Sequence, residues 1–380
     1  MSRSVVILAA RRSPVAPRGG ALSGLDLAGL GAPVLSAVLQ DAGPAAAAVS
    51  EVILGNALGA GGNPARLVAL AAGLPDAVSA LTLDRQCCSG LDALVLAART
   101  IAAGDADVVV AGGIESFSRA PIRQHRPIRP GMPAIAYDRP AFVADPARDP
   151  DPVAAAARLA VVEGWSREAQ DRFAARSHEK ALAARAAGRF AGELLPLAGL
   201  EDDAFTRFLS SMLLGRAPVL AGDACHGVTA ATVAVEADAA AMLVMAEGRL
   251  ARSHGWPVLA LYKGAAVTGG DPVDPARVPR QAMAALLKRL GWSGASLARV
   301  ELMEAFAVQA LACLSGFGFD SAAVNAGGGA LARGHPIGAS GAILAVRLAR
   351  ELTALPQGSR GLAAIAAVGG LATAVALQTA

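Results

Sequence analysis

The stretch DRQCCSG (84–90), followed by LDALVLAARTIAA (91–103), ends an extended apolar segment and opens a helix. Between 91 and 103 only Asp92 and Arg99 are charged, and a helix that is apolar nearly all round is a buried one. The polar cluster therefore sits where a strand gives way to the N-terminus of a core helix. Unpaired backbone N–H groups and the positive end of the helix dipole favour an anion there. A cysteine so placed can have its pKa lowered, and the thiolate is the nucleophilic form. Cys87 is the candidate nucleophile. The alternative is an inert core thiol, since cysteine is among the most buried residue types.

Outward from this junction, short apolar runs alternate with helical stretches. Residues 5–10, 51–55, 79–84 and 107–111 read as strands, the last closed by GGIES (112–116). Residues 25–39 read as a helix, and GAGGNPAR (59–66) as a loop leading into another. Strands that are mostly apolar, alternating with helices, indicate α/β layers. From about 119 to 219 Pro, Arg and Asp become frequent, and 166–189 is a charged amphipathic helical region opening on SREA. It reads as an insertion lying over the first half. After 230 the α/β pattern returns, with strands at 239–245 and 258–262 and a helix at 280–290.

The two ends of the chain repeat one pattern. Ser89-Gly90, an apolar helix and VVVAGG in the first copy answer to Ser340-Gly341, an apolar helix and AIAAVGG in the second. The chain reads as a duplicated half, with a shared site between the N-termini of two buried helices. The expected boundaries are 1–118 plus 231–256 for the first half, 119–230 for the insertion and 257–380 for the second half.

Composition excludes several classes. At 380 residues the chain can bury a large core. Apolar residues make up 54 % and mean hydropathy is +0.46, much of it from alanine. The C-terminal run GLAAIAAVGGLATAVAL (361–377) reads as two Gly-interrupted core strands rather than a membrane anchor. The N-terminal MSRSVVILAARRSP has too short an apolar part for a signal peptide. Four cysteines without framework spacing suggest a reducing compartment, and a cytoplasmic location is expected. A net charge of +3 and 4 % aromatic residues leave no basic, aromatic surface for nucleic acid.

The second helix entrance, NAGGGALARGHPIGASG (325–341), holds six glycines and leaves little but His335 as a functional side chain. A histidine there can move a proton or hold a developing oxyanion, or it can be structural. GGGALA (327–332) also matches a loose G-x-G-x-x-A fingerprint, but it runs into a Gly-His-Pro turn rather than a long helix that could hold a pyrophosphate. MEAFA (303–307) starts a further helix with Glu301 and Glu304 as acids of its first turn, where surface capping is their plain explanation. Cys225 and His226 adjoin on a loop without enough neighbouring ligands for a metal, and no metal is expected. Vicinal Cys87-Cys88 lacks redox-pair spacing.

These stretches resemble the thiolase family over nearly the whole chain. The specific combination is C-x-S-G at 87–90, GG-x-ES-x-S at 112–118, RSH at 176–178, EAFA at 304–307 and GHPIGASGA at 334–342. The resemblance implies a five-layered αβαβα fold of two similar halves with an inserted loop domain, as a dimer or dimer of dimers. It implies acyl transfer from coenzyme A through a thioester on Cys87, activated by His335, with no permanently bound cofactor. Four departures stand out. Met303 replaces the Asn, or His, that precedes EAFA and helps hold an oxyanion-hole water; a thioether cannot donate a hydrogen bond. Ala366 replaces the second catalytic cysteine, whose loss as general acid/base costs about 10² to 10⁴ in rate. Val368 replaces a glycine, although its backbone N–H can still pair with that of Cys87 as an oxyanion hole. In 227–241 the serine and asparagine that normally sit beside the pantetheine are absent.

The leading expectation is therefore a non-standard thiolase-like acyltransferase. It would load Cys87 from an acyl-CoA or acyl-carrier protein and pass the acyl group to a carbon, nitrogen or oxygen nucleophile. Cys225 or His226 would be substitutes for the lost base. The alternatives are a conventional acetyl-CoA C-acyltransferase (ketothiolase) and a non-catalytic accessory subunit of a thiolase-type complex.

Overall fold

The computed structural model describes residues 3–59 and 61–380. Its strands are β1 (Val5–Arg12), β2 (Val49–Gly55), β3 (Ser79–Leu83), β4 (Val108–Ser116), β5 (Ala237–Glu247), β6 (Ala260–Gly269), β7 (Leu297–Leu302), β8 (Arg360–Ala367) and β9 (Leu371–Gln378). With Ala16–Pro17 beside β5 they form a ten-stranded sheet, ordered β7-β8-β9-β6-β1-β5-β4-β2-β3. The main helices are α1 (Leu27–Ala42), α2 (Pro64–Ala71), α3 (Ser89–Ala103), α4 (Pro152–Glu163), α5 (Arg167–Ala186), α6 (Val278–Leu290), α7 (Ala307–Leu314) and α8 (Ile337–Leu352).

The sheet consists of two like halves. In the first, β2 runs parallel to β3 and β4, and β5 lies antiparallel to β4 and β1. In the second, β7 runs parallel to β8, and β9 lies antiparallel to β8 and β6. Val324 bridges parallel to Val300 where the second half would have its counterpart of β3. The halves join where β1 pairs antiparallel with β6, Val5 opposite Tyr262. The expected duplication is therefore present in topology as well as in residue pattern.

Helices α3 and α8 pack on each other between the two half-sheets, α1 and α2 cover the outer face of the first, and α6 covers the second. The layers are αβαβα. The central layer buries Leu91, Leu94, Ile343 and Ile365, while Leu30, Val34 and Val68 fill one outer layer and Met283 and Leu286 the other. The run 361–377 forms the β8–β9 hairpin, and among the described residues no helix is long and apolar enough to cross a membrane.

The repeated Ser-Gly pairs mark the crossing of the two central helices. A Cβ on Gly90 would lie 2.7 Å from the Ala342 nitrogen, and one on Gly341 only 2.4 Å from the Leu91 nitrogen. Backbone meets backbone there, so any side chain forces the helices apart. Gly341→Ala is expected to lower stability by about 1–3 kcal/mol, the usual cost of overpacking. Urea unfolding would check it, and an unchanged midpoint would mean the helices have slack at this point.

GGIES (112–116) does not close the preceding strand, as the sequence suggests, but continues it: β4 runs to Ser116. The glycines serve close packing, because a Cβ on Gly113 would sit 2.1 Å from the Gly338 carbonyl oxygen. The insertion carries α4 and α5, the latter capped by Ser166, whose Oγ accepts from Ala169 N at 3.2 Å. Its return segment is tied to both halves by buried ion pairs. Glu193 meets Arg12 at 2.8 Å and Arg347 at 2.5 Å, and Asp203 meets Arg12 at 2.7 Å.

Candidate active site

The turn between β3 and α3 is tightly tied. Asp84 Oδ1 accepts from Gln86 N at 2.8 Å; Ser89 Oγ accepts from Arg85 N at 2.8 Å and donates to Gln86 O at 2.6 Å. These bonds hold Gln86 at φ +53°, a left-handed conformation costing a non-glycine residue roughly 1–2 kcal/mol. The sharp bend aims the half-buried Cys87 into a cavity of 390 Å³ that lies between the two halves and the insertion.

His335 enters the same cavity from the second half. Its backbone N donates to Val235 O at 2.7 Å. Ser340 Oγ donates to Pro336 O at 3.1 Å, so toward the ring, 2.7 Å away, it accepts from Nδ1–H. That assignment leaves Nε2 bare, 3.1 Å from Cys87 Sγ and ready to take the thiol proton. Burial drives the His335 pKa down to about 4, so the ring is neutral at pH 7.

Cys87 departs from the expectation of a depressed pKa. Burial, with Glu115 and Asp84 adding negative charge, pushes its thiol up to about 12. The N–H groups of Cys87 and Val368 are aimed at the sulfur and pull the other way, but they do not offset desolvation. Cys88, at the N-cap of α3, is fully buried with its Sγ on Ile365 O at 3.6 Å.

Two buried carboxyl groups brace the segments that carry the site. Glu115, at the end of β4, accepts from Asn56 Nδ2 (2.8 Å), Ala57 N (2.9 Å), Leu58 N (3.2 Å) and Gly338 N (2.9 Å). It thus pins the loop after β2 to the N-terminus of α8, joining the half that bears Cys87 to the half that bears His335. Desolvation raises its pKa to about 7. Glu304 is the second, and here the surface-capping explanation fails. Ser177 Oγ donates to Glu304 Oε2 at 2.6 Å, Asn325 Nδ2 donates to Oε1 at 2.6 Å, and Leu331 N donates to Oε2 at 3.2 Å. Helix α7 begins only at Ala307. Glu301 is fully buried on β7. Gly329 makes room for Glu304, since a Cβ there would lie 2.0 Å from Glu304 Cδ. The helix that follows, Ala330–Arg333, has four residues, too few for the dinucleotide alternative.

The other residues singled out in the sequence divide cleanly. Ala366 and Val368 line the cavity with Cys87 and His335. Met303 lies in the central core, its N donating to Ala364 O at 2.9 Å, and it is not on the cavity wall. Cys225 and His226 sit on a turn held by Asp223 Oδ1, at 2.8 and 2.7 Å from their backbone nitrogens. Cys225 is exposed, neither residue lines the cavity, and the structure does not bring them to Cys87. The wall is otherwise largely apolar, with Leu58, Phe117, Phe142, Phe306 and Ile337.

Two α/β halves closed on a helix pair set a thiol from one facing an imidazole from the other across a substrate-sized cavity, an arrangement suited to covalent catalysis through sulfur. The sequence profile described as "Thiolase, N-terminal domain" matches residues 5–248, and "Thiolase, C-terminal domain" matches 256–379. The chain belongs to the thiolase family. It is 38 % identical to the acetyl-CoA acetyltransferase of Cupriavidus necator, with 98 % of this chain and 99 % of that protein covered. Identity to the Pseudomonas aeruginosa acetyl-CoA acetyltransferase is also 38 %, over 99 % of both. Among solved structures, the Bacillus anthracis acetyl-CoA acetyltransferase superposes at a TM-score of 0.92 with 32 % identity, covering 100 % of this chain and 99 % of that one. Human mitochondrial 3-ketoacyl-CoA thiolase in complex with CoA superposes at 0.90 with 30 % identity, covering 100 % and 98 %.

Proposed function

We propose that this protein takes an acyl group from a coenzyme A thioester onto Cys87 Sγ and hands it to a nucleophile bound in the same cavity. The contact of 3.1 Å between Cys87 Sγ and His335 Nε2 carries this reading. As the sulfur attacks the donor carbonyl, the bare Nε2 takes the thiol proton. The N–H groups of Cys87 and Val368 hold the oxyanion, and coenzyme A leaves with the proton. Ala366 offers only a methyl group where thiolases carry their second cysteine, so the transfer is non-standard. The free outer edge of β3, paired on one side only to β2, suits a dimer or dimer of dimers.

Intact-protein mass spectrometry after incubation with short-chain acyl-CoAs is the test. Wild type should gain one acyl group and Cys87→Ala none; no gain from any donor would sink the reading. A second reading, the conventional C-acetyltransferase, draws support from the 38 % identity to acetyl-CoA acetyltransferases. It requires normal turnover of acetoacetyl-CoA plus coenzyme A to acetyl-CoA, and a coupled assay decides it.

A further inference from the structure

A carbon acceptor becomes a nucleophile only when an electron pair is left on its α-carbon, either by loss of a proton or by loss of another electrofuge. Proton loss from a thioester needs a base close to the acyl-enzyme, and this cavity is poorly equipped for it. Ala366 presents a methyl group beside Cys87 and His335. Among the described residues two carboxylates belong to the wall, Asp138 and Glu236, and both open to solvent. Glu236 is moreover paired with Arg18 at 2.9 Å, its side chain 53 % exposed. Among the described residues the ring of His335 is the remaining base on the wall, and burial holds its basicity down to about 4.

One wall residue points to the other route. Arg123 is half-buried on the cavity lining, and no ion pair or side-chain hydrogen bond engages its guanidinium among the described residues. Its neighbour on the wall, Arg139, is already paired with Asp149 at 3.0 Å. A partly desolvated guanidinium without a partner calls for an anion from the substrate.

We infer that the acceptor is a 2-carboxyacyl thioester of the malonyl type, whose carbanion is released by loss of carbon dioxide and whose carboxylate is read by Arg123. This rests on the acyl-Cys87 reading above. The bond between the α-carbon and the carboxylate breaks, its electron pair stays on the α-carbon, and CO2 departs. That carbon attacks the acyl carbonyl on Cys87, the new C–C bond forms, and the C–S bond breaks with its pair returning to sulfur. A proton from water restores the thiol. The sum is acyl-CoA plus malonyl-type CoA plus one proton giving 3-oxoacyl-CoA, coenzyme A and CO2. The apolar walls favour this route, because a carboxylate there loses its charge on becoming CO2. A carboxylate and a coenzyme A phosphate would both answer to Arg123, and kinetics separates them.

The experiment uses the full chain, pre-acylated on Cys87, with malonyl-CoA or acetyl-CoA as acceptor, following 3-oxoacyl-CoA and labelled CO2. Malonyl-CoA should give product and CO2 one to one, at a rate at least about 10² times that with acetyl-CoA. Ala366→Cys should raise the acetyl-CoA rate by about 10² while leaving acylation of Cys87 in place. Arg123→Gln should raise KM for malonyl-CoA at least about tenfold more than KM for the acyl-CoA donor; an equal rise in both would assign Arg123 to the phosphate and overturn its role as carboxylate reader. Equal or faster reaction with acetyl-CoA, or product without CO2, overturns the inference while acyl-Cys87 stands. Failure of Cys87 to acylate at all would instead remove the reading beneath it.

Discussion

Exchanging His335 for alanine is expected to slow acylation of Cys87 by about 10² to 10⁴-fold, the usual worth of a positioned general base. The size follows from the state of the thiol. With its pKa pushed up to about 12, roughly one sulfur in 10⁵ is ionised at pH 7, so direct attack by a standing thiolate is negligible. The proton must leave during the attack, and His335 Nε2 is in hydrogen-bond reach to take it. The sign of the pH dependence follows. His335 is a competent base wherever it is neutral, which means above its depressed pKa of about 4. Acyl transfer should therefore run level from about pH 5 to about pH 9 and fall only in acid. Iodoacetamide, which needs the thiolate, should react slowly at neutral pH and still be gaining speed at pH 9. Fast alkylation at pH 7, with an acylation inflection near neutrality, would instead mean a standing thiolate–imidazolium pair.

Glu193→Ala should be the most destabilising single change in the insertion. Glu193 is fully buried and accepts from two buried guanidinium groups, Arg12 and Arg347. Removing it leaves both with too few partners in a dry interior, which typically costs about 3–5 kcal/mol. Chemical denaturation would measure it, and a loss below about 1 kcal/mol would show that water reaches the cluster. The same network makes the fold acid-sensitive. Arg12 holds the Asp203 carboxyl below its usual range despite burial, and Arg347 and Arg189 do so for Glu351. A depressed carboxylate stabilises the fold above its unfolded pKa, and that contribution is lost as pH falls through the folded value.

Much of this architecture is legible in the residues. The run 91–103 could be nothing but a buried helix, its Ser-Gly entrance recurs at 340–341, and the strands at 107–111 and 361–377 are apolar without alternation. Cys87 and His335 stand out because almost nothing else around them carries chemistry. The bracing carboxylates do not stand out. A glutamate beside apolar residues suggests a surface face, and only the fold shows Glu115 receiving four N–H groups and Glu304 filling the space left by Gly329. The nearest signal is the unbroken apolar run 108–111 just before Glu115, which marks that neighbourhood as interior. The shift of the Cys87 thiol was beyond reach for a related reason. Its sign depends on how little water remains around the sulfur and how near Glu115 lies, and neither is local in the chain.

The contact of Gly90 with Ala342 and of Gly341 with Leu91 works as a spacer for the chemistry. Because bare backbone sets how near the two central helices lie, the gap from sulfur to imidazole nitrogen is inherited from that crossing rather than from flexible side chains. Sequence drift on the outer helices can reshape the exterior of either half without disturbing the reacting atoms. A single methyl group at the crossing, some distance from any substrate, would spread the pair and silence it.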